Sequence, residues 1–239
     1  MLGSGAGGGF FLTHTLPKFP DLTGADAWAS ASTIYGQNFL CLTLAPAMID
    51  AVALALQYDD IHAFDSAVPS ALVPLLPNTV ALVAGQRRAG TRATPLATSP
   101  GAVPFTQFSK SGSTGLDLYE DVVQPALGAD MWVETWRRSP AMDTYCRPDH
   151  AFDSMNVQDL VFVGADGSNA TWRYTQDHSK VAVAAPAPYL HPQPTVCVGD
   201  MNRMTSQWAR GGGTTCLDDA ALWSALVDSF ATVDACAEA

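Results

Sequence analysis

Apolar residues near the start of the chain fall into short runs that prolines interrupt. Residues 9–13 (GFFLT) and 35–44 are predicted as strands; the first delivers His14 to its end and the second breaks at Pro46. Proline suits the first turn of a helix. The residues that follow place apolar side chains on one helical face at Met48, Ile49, Val52 and Leu56.

Two later segments of the first half carry weaker patterns. Residues 70–84 are apolar but contain Pro74 and Pro77, and are predicted as a helix followed by a strand. Residues 86–101 are rich in Gly, Pro, Ser and Thr, which favours a loop. The arginines of that loop are interpreted as solvated charges, with contact to a nucleic-acid backbone as the alternative: Arg87, Arg88 and Arg92.

The second half alternates strand and helix patterns, which indicates an α/β protein. Strands are predicted at residues 105–110, 131–136 and 181–183, and a hairpin joins residues 160–163 to 172–174. A helix through Tyr119 is expected to end at Gly128. The last helix, residues 218–230, places Leu222, Leu226 and Phe230 on one stripe.

Composition describes a folded globular chain. Its 239 residues suffice for one domain with a sizeable core, 48% of them are hydrophobic and 15% are charged. Five cysteines occur without a C-x-x-C pair, which argues against a zinc or redox motif. The sequon at Asn169 fits a secretory glycoprotein. The first nine residues lack the pattern of a signal peptide, and no apolar run is long enough for a membrane span.

Candidate chemistry centres on the stretch from residue 177 to residue 216. If the strand beginning near Lys180 is extended, the side chains of His178 and Lys180 project together. An imidazole can attack phosphorus or move a proton, and a nearby ammonium can stabilise charge on phosphate oxygens. The triplet alone also fits an exposed His beside a solvated Lys. Asp200, Asn202 and Arg203 follow in a second strand-like setting.

Several motifs resemble the deoxyribonuclease II family, an acid endonuclease branch of the phospholipase D superfamily. In the C-terminal half they are DHSK, CVGDMNR and RGGGTTC; earlier stretches are FFLTHTLPKFP, YGQNFLCLTL and DLYEDVVQPALGADMWVETWRR. The resemblance implies a single phospholipase D-like domain over residues 1–239, built from two pseudo-repeated β-sheet/helix halves that form one active site. The halves would span about residues 1–100 and 101–239. A spacing of 24 residues from His14 to Asn38 and from His178 to Asn202 agrees with this duplication.

The resemblance also implies the site and its chemistry. His14, His178 and Lys180 are expected to be catalytic, hydrolysing a DNA phosphodiester through a phosphohistidine and leaving a 3′-phosphate. The residues expected to bind the substrate are Lys18, Gln37, Asn38, Asp200, Asn202 and Arg203. Neither a metal nor another cofactor is expected. Leu16 stands where the second half has Lys180, so the first half lacks a His-x-Lys triplet.

Covalent and cellular expectations follow from the same resemblance. Disulfides are expected between Cys197 and Cys216 and between Cys146 and Cys236, which leaves Cys41 over. Relatives carry a longer N-terminal region, so the first pseudo-repeat is expected to be incomplete. The expected location is lysosomal, endosomal or secreted, and a homodimer is left open. The net charge of −11 and pI near 4.6 would repel DNA at neutral pH but much less near pH 5.

Two other functions compete with this hypothesis. One is a catalytically silent relative that binds nucleic acid or another partner. The other is a phospholipase or different phosphodiesterase on the same scaffold. The remaining histidines, His62, His150 and His191, are interpreted as surface residues.

Overall fold

The computed structural model describes residues 2–5, 7–16, 34–190 and 192–237, and within them strands outnumber helices. The strands are β1 (Leu2–Gly5), β2 (Gly8–His14), β3 (Phe39–Leu44), β4 (Thr91–Ala97), β5 (Pro104–Lys110), β6 (Met131–Thr135), β7 (Ser154–Val163), β8 (Asn169–Arg173), β9 (Lys180–Ala184), β10 (Thr195–Gly199), β11 (Gly212–Asp218) and β12 (Phe230–Asp234). The helices are α1 (Pro46–Leu56), α2 (Pro77–Val83), α3 (Gln124–Leu127) and α4 (Ala220–Ser229). This mixture confirms the α/β class. None of these helices is both long and apolar enough to cross a membrane.

The strands form two sheets. β1, β2 and β3 make a three-stranded antiparallel sheet. The nine-stranded sheet has the order β12-β7-β6-β9-β10-β11-β5-β4, with β8 paired to β7. β6 and β7 run parallel, and the other strand pairs of this sheet are antiparallel. The phospholipase D-like arrangement of two similar halves stays a prediction.

The centre of the large sheet is covered on both faces. β9 and β10 are buried at every position, including Lys180 and Thr195. On one face, Ala182 and Cys197 pack with the helical segment that contains Tyr119. On the other face, the valines of β9 and β10 pack against α4, through Trp223 and neighbouring apolar residues. The start of β9 is therefore a rigid platform for the residues at its edge.

Most elements predicted from apolar patterning are present. The first predicted strand corresponds to β2, which ends at His14, and α1 begins at Pro46 as expected. The hairpin of β7 and β8 is confirmed, as is the helix stop at Gly128, which adopts a left-handed φ of 64°. A π-helical turn at Tyr119–Val123 leads into that helix. Both expected disulfides are present, and Cys41 is exposed and unpaired.

Three predicted segments differ from the structure. The predicted loop at residues 86–101 contains β4, which lies at the edge of the large sheet, where Pro95 costs no ladder hydrogen bond. The second part of residues 70–84 is α2 and not a strand, because Pro77 begins it in the position that proline favours. The predicted strand at residues 35–44 begins only at Phe39, and the residues before it form a loop.

Candidate active site

The candidate site lies where the turn before β9 meets the loop before β3. Asp177 holds the turn: one carboxylate oxygen accepts the Ser179 N–H at 2.7 Å and the other accepts the Trp172 indole N–H at 2.8 Å. The N–H of His178 donates to the carbonyl of Gly36 at 2.8 Å. A Cβ at position 36 would lie 2.7 Å from the Asp177 carboxylate, so only glycine allows this approach.

Aromatic side chains fix the ring of His178. The Tyr35 ring stacks on it with centroids 4.2 Å apart and planes 10° apart, and the Trp136 ring packs at the same distance with a 40° tilt. Arg138 lies over Trp136 with its Cζ 4.7 Å from the ring centroid. His178 is 8% exposed, and its Nε2 has no hydrogen-bond partner among the described residues. The structure thus holds one imidazole in a fixed orientation with a buried ring nitrogen that no described residue pairs with, which is uncommon for a buried polar atom.

The end of β2 reaches this imidazole through two side chains. The hydroxyl of Thr15, which follows His14, donates to Gln37 Oε1 at 2.8 Å and accepts the Asn38 N–H at 3.0 Å. Gln37 Nε2 lies 3.4 Å from His178 Nδ1. His14 is half-buried and stacks with Phe39, their ring centroids 5.9 Å apart. The two predicted histidines therefore belong to neighbouring segments, and their sharing of one phosphate stays a prediction.

Lys180 is the first residue of β9 and is buried. Its backbone N–H donates to Asn38 Oδ1 at 3.1 Å, and its ammonium donates to the carbonyl of His178. Burial lowers the pKa of Lys180 to about 8, while Asp200 and other nearby carboxylates act in the opposite direction. The Lys180 side chain therefore carries a proton at neutral and acidic pH.

The loop after β10 carries the other predicted contacts of the second half. Asp200 Oδ1 accepts the Gly213 N–H at 2.9 Å, and the Asp200 carboxylate contributes to the electrostatic environment of Lys180. Asn202 has a buried Oδ1 without a hydrogen-bond partner among the described residues. Arg203 is fully buried and donates to Asn156 Oδ1 at 2.6 Å, so its guanidinium is directed into the fold. Its predicted contact with substrate stays a prediction.

Glu134 is a buried carboxylate that sequence reasoning missed. It pairs with Val181 in the sheet, one position before the pairing of Thr135 with Lys180. Glu134 is fully buried, and neither of its carboxylate oxygens has a hydrogen-bond partner among the described residues. Burial raises the pKa of Glu134 well above its usual value, and the negative charge of Asp177 adds to the increase. Its only sequence signal is one acid within the apolar run of residues 131–136.

Arg210 is a second residue that the sequence analysis did not single out. The ammonium of Lys110 donates to the carbonyl of Arg210 at 2.6 Å and to those of Gln207 and Trp208, which holds the turn before β11. Arg210 Nη2 then lies 3.9 Å from Asp200 Oδ2. The loop after β10 and the turn before β11 thus place opposite charges side by side.

The remaining candidates lie away from His178 or outside the described residues. Lys18 and His191 lie outside the described residues. His62 is exposed, as predicted, whereas His150 is half-buried, stacks on Tyr145 and contacts Glu120. The loop arginines are engaged within the chain: Arg87 with backbone carbonyls, Arg88 with Gln57 and Arg92 with Thr94.

A cavity of about 680 Å³ lies between the small sheet, α1 and α2. His14, Asp59 and Asp200 are among its polar lining residues, and most of its wall is apolar. His14 therefore faces open space on one side of β2.

These features define a mixed α/β protein in which a stacked imidazole, a buried ammonium and two side-chain amides come from neighbouring segments. The family model for deoxyribonuclease II matches residues 1–236, and the chain belongs to that family.

It is 35% identical over 233 residues to Deoxyribonuclease-2 of Caenorhabditis elegans, covering 96% of this chain and 58% of the relative. For Deoxyribonuclease-2-alpha of Rattus norvegicus the identity is 33%, covering 91% and 61%. For Plancitoxin-1 of Acanthaster planci the identity is 30%, covering 95% and 62%. The chain spans less than two thirds of the length of each of these relatives.

Proposed function

We propose that this protein is an acid endodeoxyribonuclease that hydrolyses DNA phosphodiesters. The observation that carries the proposal is the stacked ring of His178, whose buried Nε2 has no hydrogen-bond partner in the part of the chain that the structure describes, next to the ammonium-bearing Lys180. The names of the relatives from Caenorhabditis elegans and Rattus norvegicus supply the substrate class. The phospholipase D-like pairing of two halves belongs to the same proposal, because Asn38 and Gln37 join the first half to the second.

The reaction proceeds in two displacements. His14 attacks phosphorus, a P–N bond forms, and the bond from phosphorus to the 5′ oxygen breaks as His178 gives that oxygen a proton. Water then attacks phosphorus while His178 takes one of its protons, and the P–N bond breaks. A 3′-phosphate is released and both imidazoles return to their starting states.

Positive and amide groups stabilise the non-bridging oxygens in both steps. Lys180 supplies the charge, and Asn38 Nδ2 supplies a donor, since this nitrogen is buried without a hydrogen-bond partner among the described residues. Asn202 is assigned to the same oxygens. Lys18, Gln37, Asp200 and Arg203 complete the predicted binding set. We propose that these groups replace a metal ion, so that cleavage continues in chelator.

The proposed chemistry favours acidic pH because one of the two histidines must be protonated. Burial lowers the pKa values of both His14 and His178 from 6.5. The imidazole that donates a proton must be charged at the outset, so activity falls as the pH rises through its lowered pKa. The net charge of −11 adds repulsion of DNA at neutral pH. We therefore propose a lysosomal, endosomal or secreted setting with an acidic working pH.

A plasmid-nicking assay at pH 5 in EDTA tests the proposal. We expect relaxed and linear products from the protein and none from folded His14→Gln or His178→Gln variants. Product 3′ ends should accept nucleotides from terminal transferase only after phosphatase treatment, because they carry a phosphate. If the wild-type protein is folded, as judged by circular dichroism, and leaves plasmid intact, the proposal is wrong and a silent nucleic-acid-binding relative is favoured.

A further inference from the structure

We propose that Thr15 and Gln37 are positioning residues that hold the neutral ring of His178 in the tautomer with its proton on Nε2. Three consecutive hydrogen bonds carry the inference, and they run from a backbone amide to the imidazole. The assignment of His178 as proton donor rests on the proposed function, whereas the tautomer does not.

The direction of the first two bonds follows from their end group. The backbone N–H of Asn38 can only donate, and it lies 3.0 Å from Thr15 Oγ1. The hydroxyl accepts this bond and sends its own proton to Gln37 Oε1 at 2.8 Å. The Gln37 amide is thereby oriented, with its oxygen toward Thr15 and its nitrogen toward His178.

The third bond sets the imidazole. Gln37 Nε2 lies 3.4 Å from His178 Nδ1, and an amide nitrogen can only donate. Nδ1 must therefore accept, which leaves the single proton of the neutral ring on Nε2. At 3.4 Å the bond is long, so it contributes little to holding the ring, which Tyr35 and Trp136 already do. Its effect is selective, because the other tautomer would direct two N–H groups at each other.

This tautomer has a functional consequence. In the neutral ring the proton lies on the buried nitrogen that has no hydrogen-bond partner among the described residues. The proton that passes to the departing oxygen in the proposed reaction comes from the charged ring, so the cost of charging the ring decides at which pH the donor is present. Charging the ring would place a proton on Nδ1 as well, opposite the Gln37 N–H. The chain of hydrogen bonds from the Asn38 N–H through Thr15 and Gln37 to His178, here called the relay, therefore lowers the pKa of His178. Burial, Lys180 and Arg138 act in the same direction, and Asp177 raises this pKa.

Nitrogen-15 NMR of the full chain with labelled histidine rings tests the tautomer directly. Signals of His178 are assigned by their loss in His178→Gln. We expect a protonated Nε2 and an unprotonated Nδ1 in the neutral ring of the wild-type protein. Gln37→Glu supplies an acceptor in place of the donor, so Nδ1 should gain the proton and the pKa of His178 should rise by about one unit or more. Gln193→Glu adds the same charge at an exposed glutamine and should change neither.

Thr15→Val is the second variant, because it removes the hydroxyl that orients the Gln37 amide. We expect it to yield a mixture of tautomers while the Gln193→Glu control keeps one. A wild-type ring with its proton on Nδ1 overturns the inference, as does an unchanged tautomer and pKa in a folded Gln37→Glu variant. A protein that shows the expected tautomer but cleaves no DNA refutes the proposed function alone. Cleavage by a protein with the opposite tautomer refutes only the relay.

Discussion

The side-chain oxygen of Asn38 accepts a hydrogen bond from the backbone N–H of Lys180 at 3.1 Å, across 142 positions of sequence. This bond ties the loop before β3 to the first residue of β9. It also turns Asn38 Nδ2 toward a buried position without a hydrogen-bond partner among the described residues. One amide thus joins the two segments and keeps a donor free for the proposed contact with a phosphate oxygen, among the residues that the structure describes.

Replacing Asn38 should separate those two roles. We expect Asn38→Ala to lower the free energy of unfolding by about 1–3 kcal/mol, because the Lys180 N–H loses its acceptor. Asn38→Asp keeps the acceptor and should preserve more stability than Asn38→Ala does. Its negative charge should nevertheless reduce DNA cleavage at least as strongly as Asn38→Ala does. Urea unfolding and plasmid nicking check both effects, with Gln193→Ala at an exposed amide as control. Equal stability of Asn38→Ala and the wild-type protein would contradict the structural role.

The charge of Lys180 should set an upper pH limit for phosphate binding. Because its pKa is about 8, the ammonium is present below that pH and is lost as the pH rises through it. A His178→Gln variant that cannot cleave should bind duplex DNA progressively less well above pH 8. The double variant His178→Gln/Lys180→Met should show no such loss of DNA binding above pH 8. In otherwise wild-type protein, we expect Lys180→Met to reduce kcat by about 100-fold or more.

Glu134 should make the protein less stable as the pH rises. Its pKa is raised in the fold, so the unfolded chain ionises first and binds fewer protons over that pH interval. Stability should therefore fall with increasing pH, at about 1.4 kcal/mol for each unit of pKa difference. Glu134→Gln cannot ionise and should be more stable than the wild-type protein at pH 7, with a smaller difference at pH 4. Urea unfolding at both values checks this, and Asp228→Asn provides an exposed control. A less stable Glu134→Gln variant at pH 7 would contradict the expectation.

The two disulfides should differ in their contributions to stability. Cys197–Cys216 spans 19 residues and Cys146–Cys236 spans 90. In the chain-entropy model these separations correspond to about 3 and 4–5 kcal/mol. We expect the Cys146→Ala/Cys236→Ala pair to lower the free energy of unfolding more than the Cys197→Ala/Cys216→Ala pair. Urea titrations are best made in a Cys41→Ser background, because that exposed thiol can exchange with the disulfides. The reverse order would show that native-state effects outweigh loop length.

Sequence reasoning identified most elements whose apolar spacing is regular. β2, β5 and the hairpin of β7 and β8 follow their patterns, and the resemblance correctly implied both disulfides. β4 was missed because an edge strand tolerates the Pro, Thr and Arg residues that also make a loop. Local composition does not distinguish an edge strand from a loop.

The candidate site was predictable in its residue types but not in its contacts. His178 and Lys180 stand out in the sequence, whereas the approach of Gln37 to His178 spans 141 positions and requires the fold. Glu134 was hidden because a buried acid within an apolar run looks like an ordinary polar position of a strand. Arg203 was assigned to substrate by resemblance, although its guanidinium is directed toward β7.

Main-chain hydrogen bonds join the segments of Gly36 and Asp177 in a parallel β-bridge, and the Asp177 carboxylate fills the space that a side chain at position 36 would need. The separation of the two segments at this bridge is therefore set by two main-chain hydrogen bonds, from the Gly36 N–H to Gln176 and from the His178 N–H to Gly36. Substitutions on either side can change packing and charge without altering that separation. Position 36 itself is the exception, because an added Cβ would clash with the Asp177 carboxylate and push the segment that carries His178 away from the loop before β3.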